Sequence, residues 1–486
     1  MLLRIGVTVL RILLVLTFII NTSTAQNSGG QAAIPNTAPG RLLKQWLDVF
    51  NSGDVARYTT FEGEHVSEAS RKMPPADAAK REMQFRDMIG GGFDLYKVEA
   101  SSDTEIKALL REKGGAGWGE IVLRVDAAKP DVIAAMDSKR VPAPAEMRPA
   151  REDQAALVKD LEHFLQDLVA QDRFSGVVLM AKEGKPFFEK AYGYADRDKK
   201  IPNDMDTKFR IGSMNKMFTS VAIAQLVQQG KLQYMDTVAK LLPDYPDKDS
   251  AAKITVHQLL THTSGLGDFF GPEFDQKKDN LRELKDYLQF FAGKPLRFEP
   301  GKGWAYSNAG MIVAGLIVER VSGQNYFDYV REHVYKPAGM KDSDSYEKTK
   351  PQPDQSVGYT KKDGKWISNY DTLPLMGSSA GGGDSTAPDL LRFDQSLRGH
   401  KLLNAELTST ITTGKVNASS ESRYGYGFGE TLVDGKRVVG HSGGAPGMNS
   451  TLDMYWDSGY TVIVLANLDP PVAQQVTEYI RDRIEP

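Results

Sequence analysis

The chain contains no cysteine among its 486 residues. That excludes disulfides, thiolate metal sites, a cysteine nucleophile and lipidation of an N-terminal cysteine. Histidine is scarce as well, with seven in all. None stands in an H-E-x-x-H pattern, and His257 and His262 are five positions apart instead of four, so a zinc enzyme is not expected. No motif asks for a cofactor or a metal. Long runs of one charge are also missing. The net charge is -3 and Lys277-Lys278 and Lys361-Lys362 are only pairs, so nothing points to nucleic acid or to an anionic membrane surface. Past the N-terminus no apolar stretch approaches the ~20 residues a membrane span needs.

The N-terminus reads as an export signal. Arg4 and Arg11 flank the start of the apolar run Ile12 to Ile20, and small Ser23 and Ala25 follow at the positions a signal peptidase reads. Cleavage after Ala25 is expected, leaving a periplasmic or extracellular protein with no stable membrane span. An uncleaved N-terminal anchor is the rival, disfavoured because the run is short and Arg11 interrupts any longer one.

With 41% hydrophobic and 25% charged residues, the rest is ordinary globular sequence, long enough for more than one domain. Residues 26–39, rich in Ser, Gly, Ala, Pro and Asn, form a flexible leader. Leu42, Leu43, Trp46, Leu47 and Phe50 then make one face of a helix that ends at Asn51-Ser52-Gly53, and a charged helical stretch lies near 75–89. Strand-like segments follow at Phe93–Val98, Glu105–Arg111 and Glu120–Val125. Helices before strands suggest a small α+β domain over 40–140. It resembles the NTF2-like cone fold, including the stretch from Phe50 to Asp54 after its first helix. Residues 141–151 form a stiff Pro/Ala linker.

Over 152–486, Leu157, Leu161, Phe164, Leu165 and Leu168 recur at helical spacing, and the runs Gly176–Lys182 and Pro186–Tyr192 form a hairpin across Glu183-Gly184. Strands at Ser450–Tyr455 and Tyr460–Asn467 and a helix from about Val472 mirror this at the C-terminus. A sheet built from both ends of the segment, with a helical insert between, is an α/β arrangement whose cleft lies between sheet and insert.

Ser213-Met214-Asn215-Lys216 carries the chemistry. Residues three apart on a helix lie one turn from each other, so the lysine amine can take the serine proton. Serine is a weak nucleophile without such a base. The S-x-x-K pattern also occurs at Ser250/Lys253 and Ser345/Lys348, in polar, loop-like surroundings. Only Ser213 precedes a long amphipathic helix, with Met217, Phe218, Val221, Ala222 and Leu226 on one face and Gly230 as its stop. Tyr306-Ser307-Asn308 is the one Y-x-N among 19 tyrosines; the bland reading is that Asn308 caps the helix that follows. His441-Ser442-Gly443-Gly444 follows Val438-Val439 at the end of a strand; the bland reading is a glycine turn. Leu259–Leu266 has no chemical meaning that the residues alone supply.

In this order, these segments resemble the serine β-lactamase/penicillin-binding-protein superfamily, in its class C β-lactamase-like branch of esterases and D-peptidases. The Leu259–Leu266, Pro300-Gly301 and Ser379–Gly382 stretches are also family-like. The resemblance implies an antiparallel sheet flanked by helices with a helical insert. It further implies a serine hydrolase that forms an acyl-enzyme on a small-molecule ester or peptide. By the same resemblance Ser213 is the nucleophile. Lys216 is its proton acceptor, or keeps the local field positive so that another base works. Tyr306 shuttles a proton to the leaving group and activates the deacylating water, and Asn308 orients Lys216 and the substrate amide. His441 and Ser442 line the binding strand, and the backbone N–H groups of Ser213 and Gly444 form the oxyanion hole. Penicillin-recognising members begin the third motif with lysine. His441 stands there instead, a weaker carboxylate clamp at neutral pH, so short esters are expected ahead of cephalosporins.

Other readings were open. A G-x-S-x-G nucleophile at Ser442 is excluded because no histidine follows it. At Ser379 the pattern lacks the required strand and helix, since Pro374 and Gly381-Gly382-Gly383 flank it. A catalytically retired binding or scaffolding module is the non-enzyme alternative; the complete set of polar groups favours the enzyme.

Overall fold

The computed structural model describes residues 33–485 apart from 72, 115–116, 363 and 420–421. The expected signal sequence lies outside the described residues. Thr37 caps the first helix by accepting from the Gly40 N–H, and Pro39 in the first turn suits it, so that helix, Ala38–Ser52, begins inside the expected leader. Gly53, at φ 73, ends it and Asp54 caps the next helix, Val55–His65, which the sequence pattern had not shown. That helix buries only Tyr58 and Phe61, too few to mark a face. Pro75–Met88 is the third. Phe93–Ser101, Glu105–Glu112, Trp118–Asp126 and Lys129–Val141 form a four-stranded sheet in chain order, every pair antiparallel. The fourth strand has no alternation to read because it bulges, with extra residues between its Ala135 and Lys129 pairings, and its side chains are mostly exposed. Leu43, Trp46, Phe50 and Tyr58 meet Ile106, Leu123 and Ile133 in a core of their own.

The larger sheet has eight antiparallel strands, in the spatial order Val416–Asn417, Ser422–Tyr424, Gly429–Val433, Lys436–Ala445, Met448–Tyr455, Tyr460–Ala466, Gly176–Lys182, Lys185–Tyr192. It therefore joins the two ends of the segment, as the sequence pattern predicts. Alternation sorts its two faces. Val178, Met180, Val462 and Val464 pack under the helices Gln154–Ala170 and Val472–Arg481, where Leu157, Leu161, Leu165 and Leu168 are buried. Each such leucine contributes about 1.5–3 kcal/mol. Val177, Leu179, Ile463 and Leu465 face the insert and share its core.

The insert is built around two helices, Asn215–Gln228 and Asn308–Ser322. The first is not amphipathic as expected: every residue from Asn215 to Leu226 is buried. Thr219 and Gln225 among its polar members donate hydrogen bonds to distant carbonyls. The Thr219 hydroxyl donates to the Ser379 carbonyl at 2.7 Å, and the Gln225 amide to the His333 carbonyl at 2.8 Å. Among the described residues no helix is long and apolar enough to cross a membrane.

Candidate active site

Ser213 sits in a single 3-10 turn, Gly212–Met214, that leads directly into the buried helix. Gly212 has φ 52, and a Cβ there would stand 3.0 Å from the Gly444 nitrogen. The turn is thus pressed against the strand Lys436–Ala445 where only hydrogen atoms fit. Gly443 is equally constrained, since a Cβ on it would lie 2.0 Å from the Ile211 carbonyl oxygen. His441-Ser442-Gly443-Gly444 is no turn: it continues the strand and pairs with Asn449–Leu452. Pairing on the other side stops at Gly440, so residues 441–445 present a free edge beside Ser213. A free edge can take an extended substrate by main-chain hydrogen bonding.

Lys216 is fully buried beneath Ser213. Its amine reaches the Ser213 hydroxyl at 3.1 Å and donates to Asn308 Oδ1 at 2.8 Å and to the Ala380 carbonyl. Burial pulls it down from 10.5 to about 7, against the opposing attraction of Asp268. A large share of the amine is therefore unprotonated at neutral pH and able to accept a proton. The other two S-x-x-K matches differ. Ser250 lies in a short helix, Lys248–Lys253, instead of the expected loop, and Lys253 is exposed. Lys348 Nζ is taken by the Tyr370 and Leu373 carbonyls and by Asp279. Ser379 is buried and gives its hydroxyl to the Met311 carbonyl at 2.9 Å, which leaves no proton for a base to remove.

Ser307, not Asn308, caps the helix Asn308–Ser322, accepting from the Gly310 N–H at 3.0 Å. This frees Asn308, whose amide nitrogen donates to Asp268 Oδ2 at 2.9 Å while its oxygen faces Lys216. The Tyr306 ring lies 4.7 Å from Lys216 Nζ. Burial raises the Tyr306 phenol above its ordinary value, and a hydrogen bond with Ser213 opposes that rise. Tyr306 is thus a neutral phenol at pH 7. His441 stands 6.5 Å from Tyr306, centroid to centroid. Ser442 alternates to the other side of the strand, is exposed, and lines a cavity with Gln474 and Thr477 of the C-terminal helix. The structure thus gathers Ser213, Lys216, Tyr306, Asn308, His441 and the Gly444 nitrogen at one place, with Ser442 set apart.

Four groups at the site were not anticipated. Ala380, in the Ser379–Gly382 stretch, supplies the carbonyl that holds Lys216. Asp268 orients Asn308. His262, within Leu259–Leu266, is buried with its ring 4.4 Å from Tyr306 and 4.7 Å from Tyr424. Its Nδ1 accepts from the Ser307 N–H at 3.3 Å, and burial beside Lys216 and His441 holds it well below 6.5, hence neutral. Tyr424 is hydrogen-bonded to His441 Nε2 at 2.9 Å. Only the first and third lie in family-like stretches of the sequence, Ser379–Gly382 and Leu259–Leu266.

A family model described as Beta-lactamase matches residues 161–484. Penicillin-binding protein 4* of Bacillus subtilis (strain 168) is 30% identical over 340 residues, covering 66% of this chain and 73% of its own length. Among solved structures, a penicillin binding protein from Bacillus halodurans superposes with a TM-score of 0.60 at 35% identity, over 65% of this chain and 98% of that one. The D-amino acid amidase from Ochrobactrum anthropi SV3 does so with a TM-score of 0.58 at 26% identity, over 67% of this chain and 97% of that one.

Proposed function

The chain belongs to the β-lactamase family of serine hydrolases, and on that premise we propose that it cleaves an ester or amide outside the cytoplasm through an acyl-enzyme on Ser213. The observation that carries the proposal is the buried Lys216 amine, 3.1 Å from the Ser213 hydroxyl and brought down to about 7. In this reading unprotonated Lys216 takes the hydroxyl proton as Ser213 Oγ bonds to the carbonyl carbon. Tyr306 passes a proton to the leaving group, and in the second half-reaction the same groups activate water, which releases the acid and restores Ser213. The Ser213 and Gly444 N–H groups stabilise the oxyanion, each worth on the order of 3 kcal/mol. Asn308, fixed by Asp268, holds Lys216 in line.

The division into a signal peptide at 1–25, a leader, an NTF2-like domain over 40–140, a linker and a hydrolase domain from 152 belongs to the same proposal. The separate core of the small domain supports it. The test is labelling with a fluorophosphonate. Wild type should be labelled at Ser213 and Ser213→Ala should not; labelling that persists in the alanine variant removes the assignment.

A further inference from the structure

His441 is the only side chain among the free-edge residues 441–445 that can carry charge. Its two ring nitrogens are both engaged. Nδ1 faces the Ser442 carbonyl at 2.5 Å, and a carbonyl can only accept, so Nδ1 carries a proton. Nε2 lies 2.9 Å from the Tyr424 hydroxyl. In a neutral imidazole Nε2 is then the acceptor, and Tyr424 donates to it. The surroundings favour the neutral ring. On the insert side it faces Lys216, His262, Tyr306 and Tyr424. Behind the strand a cavity of about 230 Å³, lined in part by His441 and Ser442, brings Asp453, Glu478 and Arg481 near, and Arg481 is paired to Asp453 at 2.6 Å. Burial and Lys216 push His441 far down, to about 3.

We propose that Tyr424 is a specificity-determining residue: by donating to Nε2 of the neutral His441 ring it fixes the tautomer and occupies the remaining ring nitrogen, so that the ring has no N–H to offer. The strand edge then receives substrates whose group beyond the scissile bond is uncharged, an ester or carboxamide end, and rejects those with a carboxylate there. A carboxylate brought against this ring would lose part of its water shell and find neither a charge nor a free N–H on His441. Tyr424 reaches the site only through the sheet: its strand, Ser422–Tyr424, pairs with Gly429–Val433, the neighbour of the strand that carries His441.

The inference rests on Ser213 as nucleophile, and its test keeps the two apart. The full chain and Tyr424→Phe are assayed on two D-amino-acid peptides that differ only in ending as carboxylate or carboxamide. Wild type should favour the carboxamide at least tenfold in kcat/KM at pH 6 to 8. In Tyr424→Phe nothing holds Nε2 as an acceptor, so the ring can change tautomer or turn and present an N–H, and the preference should fall at least fivefold across pH 6 to 8. Equal fluorophosphonate labelling of both proteins shows that the machinery is intact. No labelling of wild type would remove the serine-hydrolase reading. Intact labelling with an unchanged preference, or a wild type that favours the carboxylate, overturns the role of Tyr424. If the variant does not fold, ¹⁵N imidazole spectra of wild type, assigned with His441→Gln, decide the matter. Nδ1 should stay protonated and Nε2 bare from pH 5 to 8, and a His441 titration in that range overturns the proposal.

Discussion

Replacing Lys216 by methionine separates the cost of the buried amine from its use. Methionine has similar length and no charge. In the unfolded chain the lysine titrates at its ordinary 10.5, and in the folded protein burial brings it to about 7. The unfolded state therefore binds more protons between these values, and the stability of wild type rises with pH across that window. At about 1.4 kcal/mol per pH unit, the buried amine destabilises the fold by about 4 kcal/mol at pH 7 and about 2 kcal/mol at pH 9. Methionine abolishes this penalty. It also strips a donor from Asn308 Oδ1 and from the Ala380 carbonyl, at about 1–3 kcal/mol each, with no dependence on pH. The two effects nearly cancel at pH 7, so the absolute difference is a poor test. Its change with pH is a good one. Wild type should gain about 2 kcal/mol on Lys216→Met between pH 7 and pH 9 in paired urea unfolding. A difference that stays flat would refute the claim that the folded protein holds Lys216 as an amine. The same titration governs turnover: kcat/KM of wild type should rise tenfold per pH unit below about 7 and level off above.

Asp268→Asn removes the one charge that favours the protonated form of Lys216, so the acid limb of the pH–rate profile should move to lower pH. Its kcat/KM on the plateau should fall about tenfold as Asn308 loses its charge-assisted partner; a limb that stays put or moves up contradicts the electrostatics. Gly443→Ala places a methyl against the Ile211 carbonyl and must shift the strand Lys436–Ala445 away from the Ser213 turn. A displacement of that order costs about 100-fold in kcat/KM, and a circular dichroism spectrum like that of wild type would show that the loss is local.

Local chemistry was legible where it needs particular residues at fixed spacing. Ser213 and Lys216 sit three apart because one helical turn brings a hydroxyl to an amine, and Tyr306 and Asn308 are two apart on the entry to a helix. The hairpin Gly176–Lys182/Lys185–Tyr192 and the closing strands could be read because their apolar runs and turn signals are local. The helix after Ser213 reads as amphipathic from Met217, Phe218, Val221, Ala222 and Leu226 on one face, yet its polar Thr219, Ser220 and Gln225 are buried too. Carbonyls from distant segments satisfy Thr219 and Gln225, and no local pattern announces a distant carbonyl. The bland alternative for Asn308, a helix cap, falls because Ser307 fills that place. The strand Lys129–Val141 escaped because a mostly exposed strand has no alternation.

The sequence by itself determined that this chain carries a serine with a lysine one turn away, an export-like N-terminus and strands at both ends of its larger segment. It also determined that no cysteine chemistry exists. Only the tertiary structure decided that the lysine is pulled down to about 7, because the groups that enclose it come from elements 92 and 164 positions away in the chain. It alone decided which glycines let the strand Lys436–Ala445 touch the turn that carries Ser213. It alone set Tyr424 against His441, because pairing between strands is settled by the whole sheet and not by the residues on either one.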